Sequence, residues 1–374
     1  MANRPPAEIG MPLSEVDTPA LLIDLDALDR NLQALPRLLE GHAVQLRPHA
    51  KTHKSPIIAL KQIALGAVGA CCQKVAEAEA LVAGGVHDIL IANEVVGAAK
   101  LRRLAALARH ANIAVCVDDP GNVTELEDAA AEFESRITVL VEIDVGANRC
   151  GVAPGQSALD LARVVTASKH LRFDGLQAYH GAAQHIRSFD ERRSAIERAA
   201  ALARDTRSLI EEAGIPCPRV TGAGTGSFGF EAASGVYTEL QCGSYVFMDA
   251  DYNRNLDAEG KARPQFEQSL YVWATVMSRP TAQRAVVDAG LKALSVDSGM
   301  PAVPDFPQAT FARASDEHGR LDLEAGVEGL EVGDKLRLVP GHCDPTVNLH
   351  DWYVGIRRQR VECLWPVAAR GALT

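Results

Sequence analysis

From residue 44 the chain keeps a regular beat, and that beat limits what it can fold into. Short apolar runs recur at 44–48, 67–73, 88–94, 112–118, 137–146, 173–181, 219–226 and 239–247. Between most of them lie Ala/Leu/Arg/Glu-rich segments with helical spacing, such as 76–83, 98–108 and 194–213. Strands alternating with helices imply βαβ units and a parallel sheet. Eight of them fit a closed (β/α)₈ TIM-type barrel, an α/β fold, better than an open sheet. The interval between the last two runs is the shortest link. Before the beat, Thr18-Pro-Ala-Leu-Leu-Ile-Asp24 reads as a strand, and Asp26 or Asp29 opens a helix through Leu28, Leu32 and Leu35.

From about Phe266 the texture changes. Short β-rich segments at 270–277, 284–288, 319–323, 335–339, 352–358 and 360–365 are divided by Gly, Pro and Asp. They predict a small antiparallel β domain, joined by the strand before Asp24. The expected division is 26–265 for the barrel and 1–25 plus 266–374 for the β domain.

Polar residues stand just past the ends of the apolar runs, where barrels of this type keep their chemistry. Lys51 follows the first run, Gln73 the second and Asn93-Glu94 the third. Asp144 to Arg149 follows the fifth, Tyr179-His180 the sixth, and Gly222-Ala-Gly-Thr-Gly-Ser227 the seventh. Lys51 lies among Arg47, His49, His53 and Lys54. Packed positive charge disfavours another ammonium, so its pKa is expected to be lowered, and such a lysine can form a Schiff base with a carbonyl. The stretch alone also reads as a solvated basic loop.

The glycines of 221–227 let backbone N–H groups approach an anion closely, and Thr225 and Ser227 add hydroxyl donors, so this run is a candidate phosphate cradle. A dinucleotide fingerprint and a plain tight turn are the rival readings; the GxGxG spacing at the seventh strand argues against the first. In Pro340-Gly-His-Cys-Asp-Pro345, an extended segment turns His342 and Asp344 to one side and Cys343 to the other. An imidazole and a carboxylate without a thiolate suit Mn²⁺ or Mg²⁺, with Zn²⁺ also open; a turn with hydrogen-bonded polar side chains is the bland alternative. Arg149 can hold an anionic oxygen or form a surface ion pair, and Tyr179 can flank a ring or cap the core. His180 and His185 are acid/base candidates by intrinsic pKa.

A net charge of −10 argues against nucleic acid or an anionic membrane as partner. Residues 1–10 contain no apolar leader core, and no stretch is apolar enough to span a bilayer. The eight cysteines form no CxxC pair and no framework spacing. A cytoplasmic protein with reduced cysteines is the expectation.

Together these residues resemble the D-threonine aldolase and D-serine dehydratase-like family of fold-type III pyridoxal 5'-phosphate enzymes. The resemblance runs from about Asp17 to Gly371. It is carried by Arg47-Pro-His-Ala-Lys-Thr-His-Lys54, Gln177-Ala-Tyr-His-Gly181, Thr221-Gly-Ala-Gly-Thr-Gly-Ser227, Glu239-Leu-Gln-Cys-Gly-Ser-Tyr245 and Pro340-Gly-His-Cys-Asp-Pro-Thr346. It implies an alanine racemase-like barrel, with Lys51 as the Schiff-base lysine and Gly224, Thr225, Gly243 and Ser244 at the phosphate. It places Arg149 near the phenolic oxygen and Tyr179 against the ring; Gln73, past the end of the second run, is read with them as cofactor-binding. Gln241 stands where alanine racemase has an arginine facing the pyridine nitrogen. His342 and Asp344 match the aldolases' metal pair, whereas the related dehydratases have His-x-Cys. The implied reaction is reversible cleavage of a D-β-hydroxy-α-amino acid to glycine and an aldehyde. For the base that takes the β-hydroxyl proton His185 is the first candidate and metal-bound water the alternative. A D-serine or D-3-hydroxyaspartate dehydratase is the alternative, and a homodimer the expected assembly.

Overall fold

In the computed structural model, residues 4–325 and 330–374 are described. Strand β1 (Ala20–Asp24) runs directly into α1 (Leu25–Leu38). Asp24 is the cap, its Oδ1 accepting from Ala27 N at 3.0 Å. The helix thus opens before Asp26 and Asp29, which lie inside it and pair with Arg357. An N-cap needs extended backbone, and Asp24 at the end of a strand already has it.

The barrel then unfolds as β2 (Gln45–Leu46), α2 (Pro56–Ala64), β3 (Ala70–Cys72), α3 (Val75–Ala83), β4 (Asp88–Glu94), α4 (Ala98–Leu107), β5 (Asn112–Val117) and α5 (Pro120–Glu132). It continues through β6 (Ile137–Glu142), α6 (Gln156–Ala167), β7 (Leu171–Gln177), α7 (Phe189–Glu212), β8 (Arg219–Gly222), α8 (Phe228–Ala233) and β9 (Glu239–Leu240). The short interval noted above therefore holds a helix of six residues. All eight strands of this sheet pair in parallel, in the order β2-β9-β8-β7-β6-β5-β4-β3. Hydrogen bonds between the outer members close the ring: Val68 N to Leu46 O at 2.8 Å, Cys71 N to Pro48 O at 2.9 Å, and Ala50 N to Cys71 O at 2.7 Å.

Side chains alternate across these strands. Leu90, Ala92, Ala114, Cys116 and Leu140 form a small inner cluster with Cys71, while Ile89, Ile91, Val115, Val117, Val139 and Val141 join the main core with helix residues such as Leu104 and Leu126. At the strand starts the interior is plugged by charge. Arg47 Nε donates to Glu239 Oε2 at 3.0 Å, Thr221 Oγ1 to Glu239 Oε1 at 3.0 Å, and Arg219 pairs with Asp174 at 2.9 Å. Arg47 is thus part of the barrel floor.

The second sheet consists of β1, β10 (Leu270–Thr281), β11 (Arg284–Val287), β12 (Ala309–Ala314), β13 (Gly319–Leu323), β14 (Lys335–Leu338), β15 (Trp352–Arg357) and β16 (Arg360–Pro366). β1 lies at its centre, antiparallel to β10 and parallel to β15. β12 escaped the sequence reading because Ala-Thr-Phe-Ala-Arg-Ala is alanine-rich, and its pairing with β13 makes it a strand. Between β14 and β15 lies the short helix α9 (Cys343–Val347). Among the described residues no helix is long and apolar enough to cross a membrane, and the eight cysteines are free.

Candidate active site

The strand ends of the barrel and the turn before α9 enclose one cleft. Lys51, Gln73, Arg149, Tyr179, His185, Gly224, Thr225, Gln241, Gly243, Ser244, His342 and Asp344 all line it. So do His49, read above only as part of the cationic cluster, and Thr52, Gln177 and Tyr252, to which the sequence reading gave no role. A second cleft, walled mainly by Phe189, Phe228, Phe230 and Phe266, opens beyond the glycine loop and holds neither Lys51 nor the His342/Asp344 pair.

Lys51 projects from the turn that follows β2, but the cationic cluster expected around it is dispersed. Arg47 points to the barrel floor, and Lys54 Nζ pairs with buried Glu77 at 2.5 Å. Burial pushes the His49 imidazole well below its usual range, and burial lowers His53 to about 4. The carboxylate of Asp344 lies 3.6 Å from Lys51 Nζ. The sequence expectation is therefore reversed: burial works against the ammonium, but Asp344 outweighs it and the Lys51 pKa is raised. His49 Nε2 meets Gln73 Nε2 at 2.7 Å, and Gln73 donates to Ala92 O at 3.1 Å, so both side chains are held in place.

After β6, Arg149 places its guanidinium 5.6 Å from the centre of the Tyr179 ring and 3.8 Å from Glu142. Burial, then the neighbouring Glu94, raises Glu142 to about 8. Buried Glu94 Oε1 and Glu142 Oε2 have no hydrogen-bond partner among the described residues, as two acceptors in contact require until one is protonated. His180 lies off the cleft against Gly146, where an added Cβ would come 2.9 Å from its Nε2.

The glycine run turns at Ala223, whose φ is 69°. A Cβ on Gly224 would stand 2.5 Å from Gln184 Oε1, and one on Gly243 would stand 2.6 Å from Thr52 Oγ1. Glycine at both positions lets two loops close on the space beside Lys51. Thr225 Oγ1 is buried there without a partner among the described residues. Ser227 departs from the expected cradle: its hydroxyl donates to Glu231 at 2.7 Å and accepts from Gln184 at 2.7 Å, away from the cleft. Gln241 Nε2 donates to Gln177 Oε1 at 2.7 Å and to Thr221 Oγ1 at 2.9 Å. This wall of the cleft is neutral.

His342 ends the extended backbone after β14 and caps α9, so Asp344 sits in the first helical turn. Strand alternation is therefore not what aims the two residues; the strand-to-helix turn brings both into the cleft. Cys343 is buried and does not line the cleft, though its Sγ lies 3.4 Å from Asp344 Oδ1. His342 Nδ1 is taken by Asp297 at 2.9 Å, which leaves Nε2 as the free nitrogen. Burial opposes charge on both members of the pair, yet Asp344 raises His342, while Lys51 and His342 lower Asp344. His185 ends a short 3₁₀ turn (Gly181–His185), with Nδ1 2.6 Å from Asp251 Oδ2. Tyr353 is buried and donates to His53 O at 2.6 Å, so it serves the core.

The family model described as alanine racemase, N-terminal domain, matches residues 23–251. The chain belongs to that family.

A second model, described as putative serine dehydratase domain, matches residues 269–356 of this alanine racemase-like chain. Over 367 residues it is 50% identical to a D-threonine aldolase of an Arthrobacter species, covering 98% of this chain and 96% of the relative. It is 48% identical over 336 residues to a 3-hydroxy-D-aspartate aldolase of Paracoccus denitrificans, covering 89% and 86%. A D-threo-3-hydroxyaspartate dehydratase of a Delftia species is more distant, 29% identical with 82% and 85% covered. The crystal structure of a D-threonine aldolase from Filomicrobium marinum superposes with a TM-score of 0.96 at 50% identity, covering 99% of this chain and all of the other. The fold is that of the fold-type III pyridoxal phosphate enzymes.

The cleft fits both groups that such a family implies. The orphaned Thr225 hydroxyl and the two glycine approaches form a cradle for a phosphate. One imidazole nitrogen and one carboxylate, without thiolate, suit a hard or borderline divalent cation.

Proposed function

We propose that this chain is a carbon–carbon lyase that cleaves D-β-hydroxy-α-amino acids reversibly to glycine and an aldehyde, using pyridoxal phosphate and a divalent cation. The observation that carries the reading is Asp344, a carboxylate beside His342 and 3.6 Å from Lys51 Nζ. The amine that would hold the cofactor and the pair that would hold the cation thus serve the same few ångströms. Pyridoxal phosphate, when bound, supplies the electron sink for the Cα–Cβ bond, and the cation supplies a Lewis acid at the β-hydroxyl.

Lys51 would hold the cofactor's carbonyl, and Gly224, Thr225, Gly243 and Ser244 its phosphate. Arg149 we assign to the phenolic oxygen, Tyr179 to the ring face, Gln241 to the ring nitrogen and Gln73 to the wall beside His49. A neutral amide at the ring nitrogen neither donates nor takes a full proton there. His342 and Asp344 would hold Mn²⁺ or Mg²⁺. His185 accepts the β-hydroxyl proton, which places a base within the cleft and leaves the carbonyl of the departing aldehyde to form as Cα–Cβ breaks.

The division into 26–265 and 1–25 plus 266–374, a homodimer and a cytoplasmic location complete the proposal. The test is product analysis with D-threonine, D-phenylserine and D-3-hydroxyaspartate, measuring glycine, aldehyde, ammonia and keto acid together. Glycine with stoichiometric aldehyde is expected. Ammonia with keto acid would turn the assignment to a dehydratase.

A further inference from the structure

We infer that Asp251 is the positioning residue that makes His185 a base: it holds the imidazole proton on Nδ1 and leaves the Nε2 lone pair for the cleft. The inference rests on the assignment of His185 made above. Asp251 is buried, and its two oxygens divide the work. Oδ2 meets His185 Nδ1 at 2.6 Å. Oδ1 accepts from both Arg187 and Arg254. Arg187 is itself anchored, donating to Asp251 O at 2.8 Å and Asn255 Oδ1 at 2.7 Å, and Arg254 donates to Ser298 O at 2.9 Å.

Burial opposes charge on Asp251, but Arg187, His185 and Arg254 outweigh it, and the carboxyl is held below its usual range. An ionised carboxylate only accepts. Nδ1 must therefore donate, and in the neutral ring the lone pair is left on Nε2. His185 lines the cleft with Lys51, His342 and Asp344, so that lone pair belongs to the space where a β-hydroxyl would lie.

The backbone around Asp251 ties this base to the His342/Asp344 turn. Ala250 N donates to Pro340 O at 3.0 Å, and Asp251 N to Gly341 O at 3.2 Å. Asp249 Oδ2 accepts from Cys343 N at 3.0 Å. One short segment, 249–251, thus orients the imidazole and carries the loop from which the metal pair projects.

Asp251→Asn separates positioning from packing, because it keeps the shape. Two guanidinium groups demand an acceptor, so the amide oxygen turns to them and the amide NH₂ faces Nδ1. Nδ1 must then accept, and the proton moves to Nε2. The same tautomer error in a Ser-His-Asp triad lowers kcat by about 10⁴, and general bases contribute roughly 10²–10⁴-fold. The expected loss is in that range, in kcat and not in KM.

The decisive readout is ¹⁵N NMR of histidine-labelled protein, loaded with pyridoxal phosphate and with Mg²⁺ as a diamagnetic cation. The His185 signals are those missing from His185→Gln among the eleven histidines. Wild type should show the Nδ1–H form, Asp251→Asn the Nε2–H form, and Asp251→Glu should restore the Nδ1–H form with part of kcat. An Nε2–H ring in wild type, which needs no variant to fold, overturns the inference. So does an Asp251→Asn protein that keeps both the Nδ1–H form and its kcat. Full-rate cleavage by His185→Gln would fail the base assignment itself, and with it the purpose given to Asp251, even where the wild-type ring is Nδ1–H.

Discussion

Replacing Gly224 by alanine probes the phosphate cradle through the loop that builds it. Gly224 has no left-handed φ, so the backbone accepts an alanine. The methyl group, however, would stand 2.5 Å from Gln184 Oε1 and 2.7 Å from its Cδ. Gln184 is buried and pins the loop at two points, accepting from Gly226 N at 3.0 Å and donating to Ser227 Oγ at 2.7 Å. The effect thus comes from the amide behind the loop and not from a Cβ blocking the anion. If the amide gives way, a buried donor or acceptor loses its partner, which costs about 1–3 kcal/mol. When binding restores the original loop, that cost appears in affinity, weakening pyridoxal phosphate by about 5- to 150-fold. The assay is titration of cofactor-free protein with pyridoxal phosphate, followed by protein fluorescence and visible absorbance. Competition by inorganic phosphate reports on the cradle alone and should weaken in parallel. Wild-type affinity with unchanged circular dichroism would refute the role given to this loop.

Borohydride reduction of the loaded protein should fix the pyridoxyl group on Lys51, and Lys51→Ala should take no label; a label mapped to Lys54 or Lys74 would contradict the site. Lys54 is a poor acceptor because its amine is buried against Glu77. Chelation should abolish cleavage while cofactor absorbance persists, and added Mn²⁺ should restore wild type but not Asp344→Ala; full-rate cleavage after chelation would remove the metal from the mechanism. Cys343→Ser should now have a measurable effect on metal affinity, since the thiol touches Asp344, and an unchanged affinity would count against that contact. Glu142 carries a pH signature: burial and the neighbouring Glu94 push its carboxyl from the usual 4.5 up to about 8, so the folded chain holds a proton that the unfolded chain releases. Its contribution is complete below the unfolded value and is lost as pH rises through about 8. Glu142→Gln, with no proton to lose, should gain stability relative to wild type across that window in urea unfolding of cofactor-free protein; a constant difference would refute the shift.

Much of the fold was legible along the chain. The alternation of apolar runs with helical segments marked the eight barrel strands, because strands and helices leave different periods in the sequence. The places where it misled were local. The cap of α1 falls on Asp24, since the strand supplies the extended backbone that Asp26 and Asp29 lack. The residues around His342 and Asp344 read as extended from their neighbours, yet Pro345 suits the first turn of a helix, and α9 forms there.

The same division runs through the cleft. Many of the residues that line it, such as Lys51, Gln73, Arg149 and Tyr179, were visible from their register past the strand ends, although Asn93, Glu94, His180 and Ser227 share that register and do not line it. Their charge states were not. Arg47, His49, His53 and Lys54 are neighbours of Lys51 in sequence, but the fold sends Arg47 to Glu239 and Lys54 to Glu77, and buries both imidazoles. It brings Asp344 to Lys51 instead, from almost the far end of the chain. Asp251 reaches His185 across 66 positions, and Asp297 reaches His342 across 45. Side-chain period is a property of consecutive residues and is written in the chain. Electrostatics depends on distance and burial, and these exist once remote segments have packed together.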